Sequence, residues 1–163
     1  AEFTRKYQDL GIKDPYWQNV CSIFRTSVSG ATMPISSECE CENLEIYVDK
    51  KFFEIFNALI ENSVIYNNDN KDLSIRIYYK NTEKSSSGIA IIFEDNGAGI
   101  PEQNKERIFH HSFGESTGLG LYFVREILST YGIKIHECGV YGDGARFEML
   151  IPDGIYRFVE DSE

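Results

Sequence analysis

Ile89-Ala-Ile-Ile-Phe-Glu-Asp-Asn-Gly-Ala-Gly-Ile-Pro101 passes from an apolar run to a carboxylate and then to a glycine-rich turn. A run with no polar residue through Phe93 is expected of a central strand covered on both faces, and Asp95 then stands where the chain leaves the sheet. Working outward, Leu73–Lys80 reads as a second strand, joined to the first by the polar segment Asn81–Ser87 in an antiparallel hairpin. Before it, Phe52, Phe53, Ile55, Phe56, Leu59, Ile60 and Val64 form a broad apolar helical face. Asp49 can cap that helix, and Leu44, Ile46 and Val48 alternate as a strand ahead of it. Glu61-Asn62 sits near the end of the helix and off the centre of its stripe, so Asn62 can point sideways into a cleft.

On the other side, Pro101 to Thr117 is a long polar connection with one apolar anchor, Ile108-Phe109, of the kind that forms lids. Gly118 to Tyr131 reads as a helix, with Leu121, Val124, Ile127 and Leu128 on one face and Gly132 at its end. Two strands near Ile133–Cys138 and Ala145–Ile151 flank the hairpin signal Gly142-Asp-Gly144. At the start, a charged stretch from Phe3 to Leu10 ends at Gly11. Asp14-Pro15 then predicts a helix start, followed by Trp17, Val20, Phe24 and Val28 at helical spacing and closed near Gly30. The fold expected is α/β, a two-layer α/β sandwich: a mixed, mostly antiparallel sheet with helices on one face. Residues 1–13 form a lead-in and residues 14–163 one domain.

The 163 residues carry 16 Lys and Arg against 26 Asp and Glu, a formal net charge of -10, which argues against a nucleic-acid partner. A phosphate ligand would have to be held by a divalent cation, backbone N–H groups and a few local cations. No apolar run approaches the ~18 residues of a membrane span, and the first ten residues lack a signal-peptide pattern. A cytoplasmic domain without direct membrane contact is expected, whether or not the parent protein is membrane-anchored. Cys21, Cys39, Cys41 and Cys138 lack paired C-x-x-C spacing and read as four reduced thiols instead of a metal site.

Glu61-Asn-Ser63, Asp95-Asn-Gly-Ala-Gly-Ile-Pro101, Arg107-Ile-Phe109 and Thr117-Gly-Leu-Gly-Leu121 occur in that order. They resemble the N, G1, F and G2 boxes of the ATP-binding catalytic domain of sensor histidine kinases, in the GHKL group with the Bergerat ATP-binding fold. The resemblance covers roughly Leu44 to Pro152. The lead-in Phe3-Thr-Arg-Lys-Tyr-Gln-Asp-Leu-Gly11 also resembles the junction after the dimerisation helices in archaeal-type sensor kinases.

The resemblance implies that Asn62 supplies an oxygen to Mg²⁺, an ion that keeps several waters and takes few protein ligands. Glu61 is implied to polarise a metal-bound water or assist proton transfer; the plainer reading is a solvated helix carboxylate. Asp95 would accept a hydrogen bond from the exocyclic amine of adenine, disfavouring guanine, which offers a carbonyl oxygen there. Gly97 and Gly99 would let backbone approach the nucleotide, and Gly118 and Gly120 would let the lid's end wrap the phosphates. A helix starting at Gly118 would offer N–H groups to an anion. Tyr66, Ile100, Phe109, Thr117, Leu119 and Leu121 complete the implied ATP contacts.

Two positions depart from the family pattern. Ala58 stands where many histidine kinases have a second Asn, and Ile65 where Lys or Arg often meets a phosphate. Lys105 or Arg107 in the lid could contribute charge to the phosphates, the plainer reading being that both are solvated lid cations. His110, His111 and His136 lack the helical His-Glu/Asp pattern of a phosphoacceptor, so the acceptor is expected elsewhere. The implied activity is transfer of the γ-phosphoryl group of ATP·Mg²⁺ to a His on an upstream dimerisation domain, and thence to an Asp on a response-regulator receiver domain. Three other readings stand beside it: a protein-serine kinase of anti-sigma type, a nucleotide-binding scaffold without catalysis, and a pure interaction module.

Overall fold

The computed structural model describes residues 11–67, 72–82, 88–111 and 120–160. Eight strands and three helices, with short 3₁₀ turns, are found there. They run as β1 (Tyr16–Asn19), α1 (Val20–Ser29), β2 (Ser36–Cys39), β3 (Leu44–Val48), α2 (Phe53–Ile65), β4 (Ser74–Asn81), β5 (Ile89–Asp95), α3 (Leu121–Thr130), β6 (Lys134–Glu137), β7 (Arg146–Ile151) and β8 (Tyr156–Phe158).

The main sheet has the order β2-β4-β5-β7-β6, which puts β5 at its centre, as its apolar run requires. Every pairing in it is antiparallel except β2 with β4. A second, three-stranded antiparallel sheet, β1-β3-β8, lies beside it. One sheet was expected from the sequence; β1 and β8, which pair on either side of β3, make the second, and β2 adds an edge strand to the first.

The helix expected from Asp14-Pro15 is corrected. Tyr16–Asn19 pairs with Val48–Glu45 as a strand, and α1 begins only at Val20. Asn19 is its N-cap, accepting the Ser22 N–H at 2.9 Å. Asp14 instead takes a positive φ of 55°, a turn conformation that Asp tolerates. Gly30 closes α1 as its spacing predicts. Asp49 caps the turn Lys50–Phe52 that leads into α2, accepting the Lys51 N–H at 3.0 Å.

The helices cover one face of the main sheet, and the core runs through it as edge-on aromatic contacts. Phe24 of α1 meets Phe56 of α2 at 5.9 Å and Phe93 of β5 at 6.2 Å; Phe93 meets Phe147 of β7 at 6.5 Å. Phe147 in turn meets Phe109 at 6.3 Å, so the Ile108-Phe109 anchor is buried in this core. At the end of α3, Ile133 N–H bonds the Leu128 carbonyl and Gly132 N–H that of Ser129, while Gly132 takes φ +76°, a Schellman ending.

The reading of four reduced thiols is also corrected. Cys21 and Cys39 form a disulfide, and Cys41 and Cys138 are free. Cys39 ends β2 and is brought against the first turn of α1, a contact that spacing along the chain does not reveal. Burial pushes the Cys41 thiol up to about 12.

Candidate nucleotide site

Asp95 is the last residue of β5, half-buried, and its carboxylate is held from three directions. Oδ1 accepts the N–H groups of Gly97 at 2.9 Å and Ala145 at 3.0 Å. Oδ2 accepts the Ser63 hydroxyl at 2.6 Å. A carboxylate oxygen offers about two acceptor positions. Oδ1 is therefore filled, while Oδ2 keeps one position for a further donor.

Ser63 is buried on α2 beside Asn62, so its bond to Asp95 fixes the last turn of the helix to the strand end. Asn62 is half-buried, and Tyr66, one turn on, lies on the same side of the helix and caps it. Among the described residues, no hydrogen bond occupies the Asn62 carboxamide. Glu61 and Ile65 are exposed. The Tyr66 carbonyl accepts the Ala98 N–H at 3.4 Å, which brings Asn62, Tyr66, Asp95 and the turn Gly97–Ile100 together.

The glycines of that turn have a local reason to be glycine. A Cβ on Gly97 would stand 3.1 Å from the Tyr66 carbonyl oxygen. Gly99 has φ +79°, and a Cβ there would lie 2.9 Å from the Gly144 carbonyl oxygen. Gly144 is tighter: at φ +114° its Cβ would fall 2.0 Å from the carbonyl oxygen of Asp95. Ile100 is buried below the turn.

Gly120 is the N-cap of α3, which starts at Leu121 and not at Gly118. Thr117, Gly118 and Leu119, with the rest of the expected lid from residue 112, lie outside the described residues. Phe109 is a core residue, with the Arg125 guanidinium 4.2 Å from its ring centroid. Lys105 is not a solvated cation: its ammonium pairs with the buried Glu137 and donates to the Gly139 carbonyl at 2.8 Å. Arg107 is exposed.

Two neighbours of Asp95 escaped the sequence reading, Ser63 and the Gly144-Ala145 pair. Both lie far along the chain from Asp95, so only the folded register brings them to it. The doublet Gly142-Asp-Gly144 carries a turn signal but nothing that names its partner.

The donor set fits a purine and a phosphate-bound divalent cation: a half-filled carboxylate, a neighbouring uncommitted carboxamide, and a glycine turn between them. Fold and site together define a nucleotide-binding α/β sandwich domain. The chain belongs to the histidine kinase-, DNA gyrase B-, and HSP90-like ATPase family, whose model matches residues 47–155.

The adaptive-response sensory kinase SasA of Crocosphaera subtropica is 28% identical over 120 residues, spanning 69% of this chain and 30% of that kinase. The catalytic domain of histidine kinase ThkA superposes with a TM-score of 0.67 at 22% identity, over 86% of this chain and 96% of that domain. ThkA in complex with the response regulator protein TrrA gives 0.64 at 21% identity, over 85% and 41%. Full-length ShkA in complex with AMPPNP gives 0.70 at 16% identity, over 97% and 35%. The chain spans 15% to 40% of the lengths of the first curated relatives it matches. These relatives are bacterial and cyanobacterial, and the archaeal-type kinship expected of the lead-in has no support among them.

Proposed function

We propose that this domain binds ATP with Mg²⁺ and presents the γ-phosphoryl group to a histidine on a dimerisation domain of its parent protein, the first step of a two-component relay. The single acceptor position left on Asp95 Oδ2 carries the adenine part of this reading. An exocyclic amine can donate there, whereas the carbonyl of guanine would meet a carboxylate that has no proton to give. Ser63, Gly97 and Ala145 hold the carboxylate in place before any ligand arrives, which lowers the cost of binding.

Asn62 would hold Mg²⁺, with Glu61 beside it in the chain, and Tyr66 would cover the nucleotide. Mg²⁺, when bound, neutralises phosphate charge, a task the net charge of -10 leaves unmet elsewhere. Ile100, Thr117, Gly118, Leu119, Gly120 and Leu121 would complete the ATP contacts that the resemblance implies, whereas Phe109, buried against Phe147, could act only as support. Catalysis rests on positioning, with Glu61 as the candidate for proton assistance. No described helix is long and apolar enough to cross a membrane. The partners are the upstream phosphoacceptor domain and a response-regulator receiver, as the ThkA–TrrA pair exemplifies for its own family member.

Titration of the chain with ADP and ATP, with and without Mg²⁺, tests the site. Asp95→Asn should weaken both nucleotides at least about tenfold with or without metal, by loss of a hydrogen bond to a charged group worth about 1.5–3 kcal/mol. Asn62→Ala should lose only the Mg²⁺-dependent gain. Equal affinities in all three proteins would defeat both assignments. A scaffold without catalysis is the second reading, favoured by Ala58 and by exposed Ile65 in place of a cation. ATP binding without labelling of any histidine in the full-length parent would select it.

A further inference from the structure

Three sulfur atoms meet at the outer edge of the main sheet. Edge strand β2 is separated from β5, and so from Asp95, by β4. Cys21 lies in the first turn of α1, Cys39 ends β2, and Cys41 follows two residues later. Glu40 between them continues the pairing, its N–H bonding the Ile77 carbonyl, and turns outward to Arg76 at 2.7 Å. Side chains alternate along extended backbone, so Cys39 and Cys41 both face α1. Cys41 Sγ stands 3.5 Å from Cys39 Sγ and 3.7 Å from Cys21 Sγ, and Cys21 and Cys39 share the disulfide.

We propose that, with this disulfide reduced, Cys21, Cys39 and Cys41 form a binding site for a thiophilic d¹⁰ cation of the zinc class. Zinc–sulfur bonds of about 2.3 Å in tetrahedral array set sulfurs about 3.8 Å apart. The two separations made by Cys41 are already close to that edge length. The three Sγ atoms converge from a helix and a strand, so the ligand set is built by the fold and not by a local sequence motif. Soft thiolates select Zn²⁺, Cd²⁺ or Cu⁺ over Mg²⁺, so this site does not compete for the ion assigned to Asn62.

The chemistry balances with a dithiol as reductant. It transfers two electrons and two protons to the Cys21–Cys39 bond, giving two thiols, and closes to its own disulfide. The divalent cation then takes three thiolates and releases three protons. A second cluster, His136, Cys138 and Glu148, is the weaker candidate: the Lys80 ammonium sits 2.9 Å from the same Glu148 carboxylate and opposes a cation there.

Cd²⁺ titration of the reduced chain, freed of reductant under argon and followed by thiolate-to-metal charge-transfer absorbance, tests the site. One equivalent should saturate the signal. Cys21→Ser, Cys39→Ser or Cys41→Ser should weaken binding at least about tenfold, while Cys138→Ser leaves it unchanged. The oxidised chain should bind at least about tenfold more weakly than the reduced one. Retained ADP affinity shows that each variant folds. Where one does not, alkylation of the wild-type chain read by mass spectrometry replaces it, with Cd²⁺ expected to protect Cys21, Cys39 and Cys41 but not Cys138. Unchanged binding in Cys41→Ser, loss in Cys138→Ser, or equal alkylation of Cys41 with and without Cd²⁺ overturns the proposal.

Discussion

Asp95, the residue proposed to read adenine, is also built into the architecture. Its backbone carbonyl abuts Gly144, and its carboxylate gathers Ser63, Gly97 and Ala145. Gly144→Ala should therefore be severe: a methyl 2.0 Å from a carbonyl oxygen, at φ +114°, forces one of the two segments to move. A loss of about 2–4 kcal/mol is expected in urea unfolding. Ser63→Ala is milder, costing about 1–2 kcal/mol of stability through one charge-assisted hydrogen bond and weakening ADP about three- to tenfold. A Ser63→Ala protein with unaltered ADP affinity would show that the serine does not tune the carboxylate. At this scale the sequence displayed the carboxylate and its turn, whereas the residues that orient it come from elsewhere in the chain.

Among the elements, the segment from Pro101 to His111 is fixed to the sheet and to α3 by three attachments. Phe109 packs on Phe147, Arg125 pairs with Glu106 at 2.6 Å, and Lys105 pairs with buried Glu137. Glu137 also accepts the N–H groups of Gly139 at 2.7 Å and Arg146 at 3.2 Å. Lys105→Ala leaves that carboxylate buried without its cation, a change that costs about 3–5 kcal/mol. Urea unfolding should register it, and limited proteolysis should cut between residues 101 and 111 faster than in the wild type. α2, α3 and β7 were legible because apolar spacing decides them, and β5 because its unbroken apolar run marks a central strand. β1 was not, since Trp17, Val20 and Phe24 fit helical spacing, and only pairing with β3 makes Tyr16–Asn19 a strand. β2 is a polar edge strand, Ser-Ser-Glu-Cys, whose parallel partner begins at Ser74.

For the molecule as a whole, carboxylates set the response to acid. Burial works to raise the Asp49 carboxyl, but hydrogen bonds from the Tyr131 hydroxyl and the Lys13 and Lys51 N–H groups outweigh it and hold it below its usual range. Glu148 behaves alike: burial is outweighed by Lys80, His136 and Cys138. Groups depressed in the folded state contribute stability that is fully present above their unfolded values, near pH 4, and is lost as pH falls through the folded ones. The urea midpoint should drop below about pH 4, and Asp49→Asn should flatten that drop while lowering the midpoint at pH 7. The net charge of -10 makes a second prediction, since it repels a polyphosphate at long range. Association of ATP at fixed Mg²⁺ should quicken as ionic strength rises to about 0.1 M, where screening acts over about 10 Å.

Asp49 also joins distant parts of the chain. It accepts the Lys13 N–H at 3.0 Å and the Tyr131 hydroxyl, while the Lys51 ammonium reaches the Gly11 carbonyl. Tension applied upstream of Gly11 thus enters the fold at a carboxylate that also clamps the far end of α3. A pull at that end of the fold is thereby delivered to the rear of that helix, by a route that does not include Asp95.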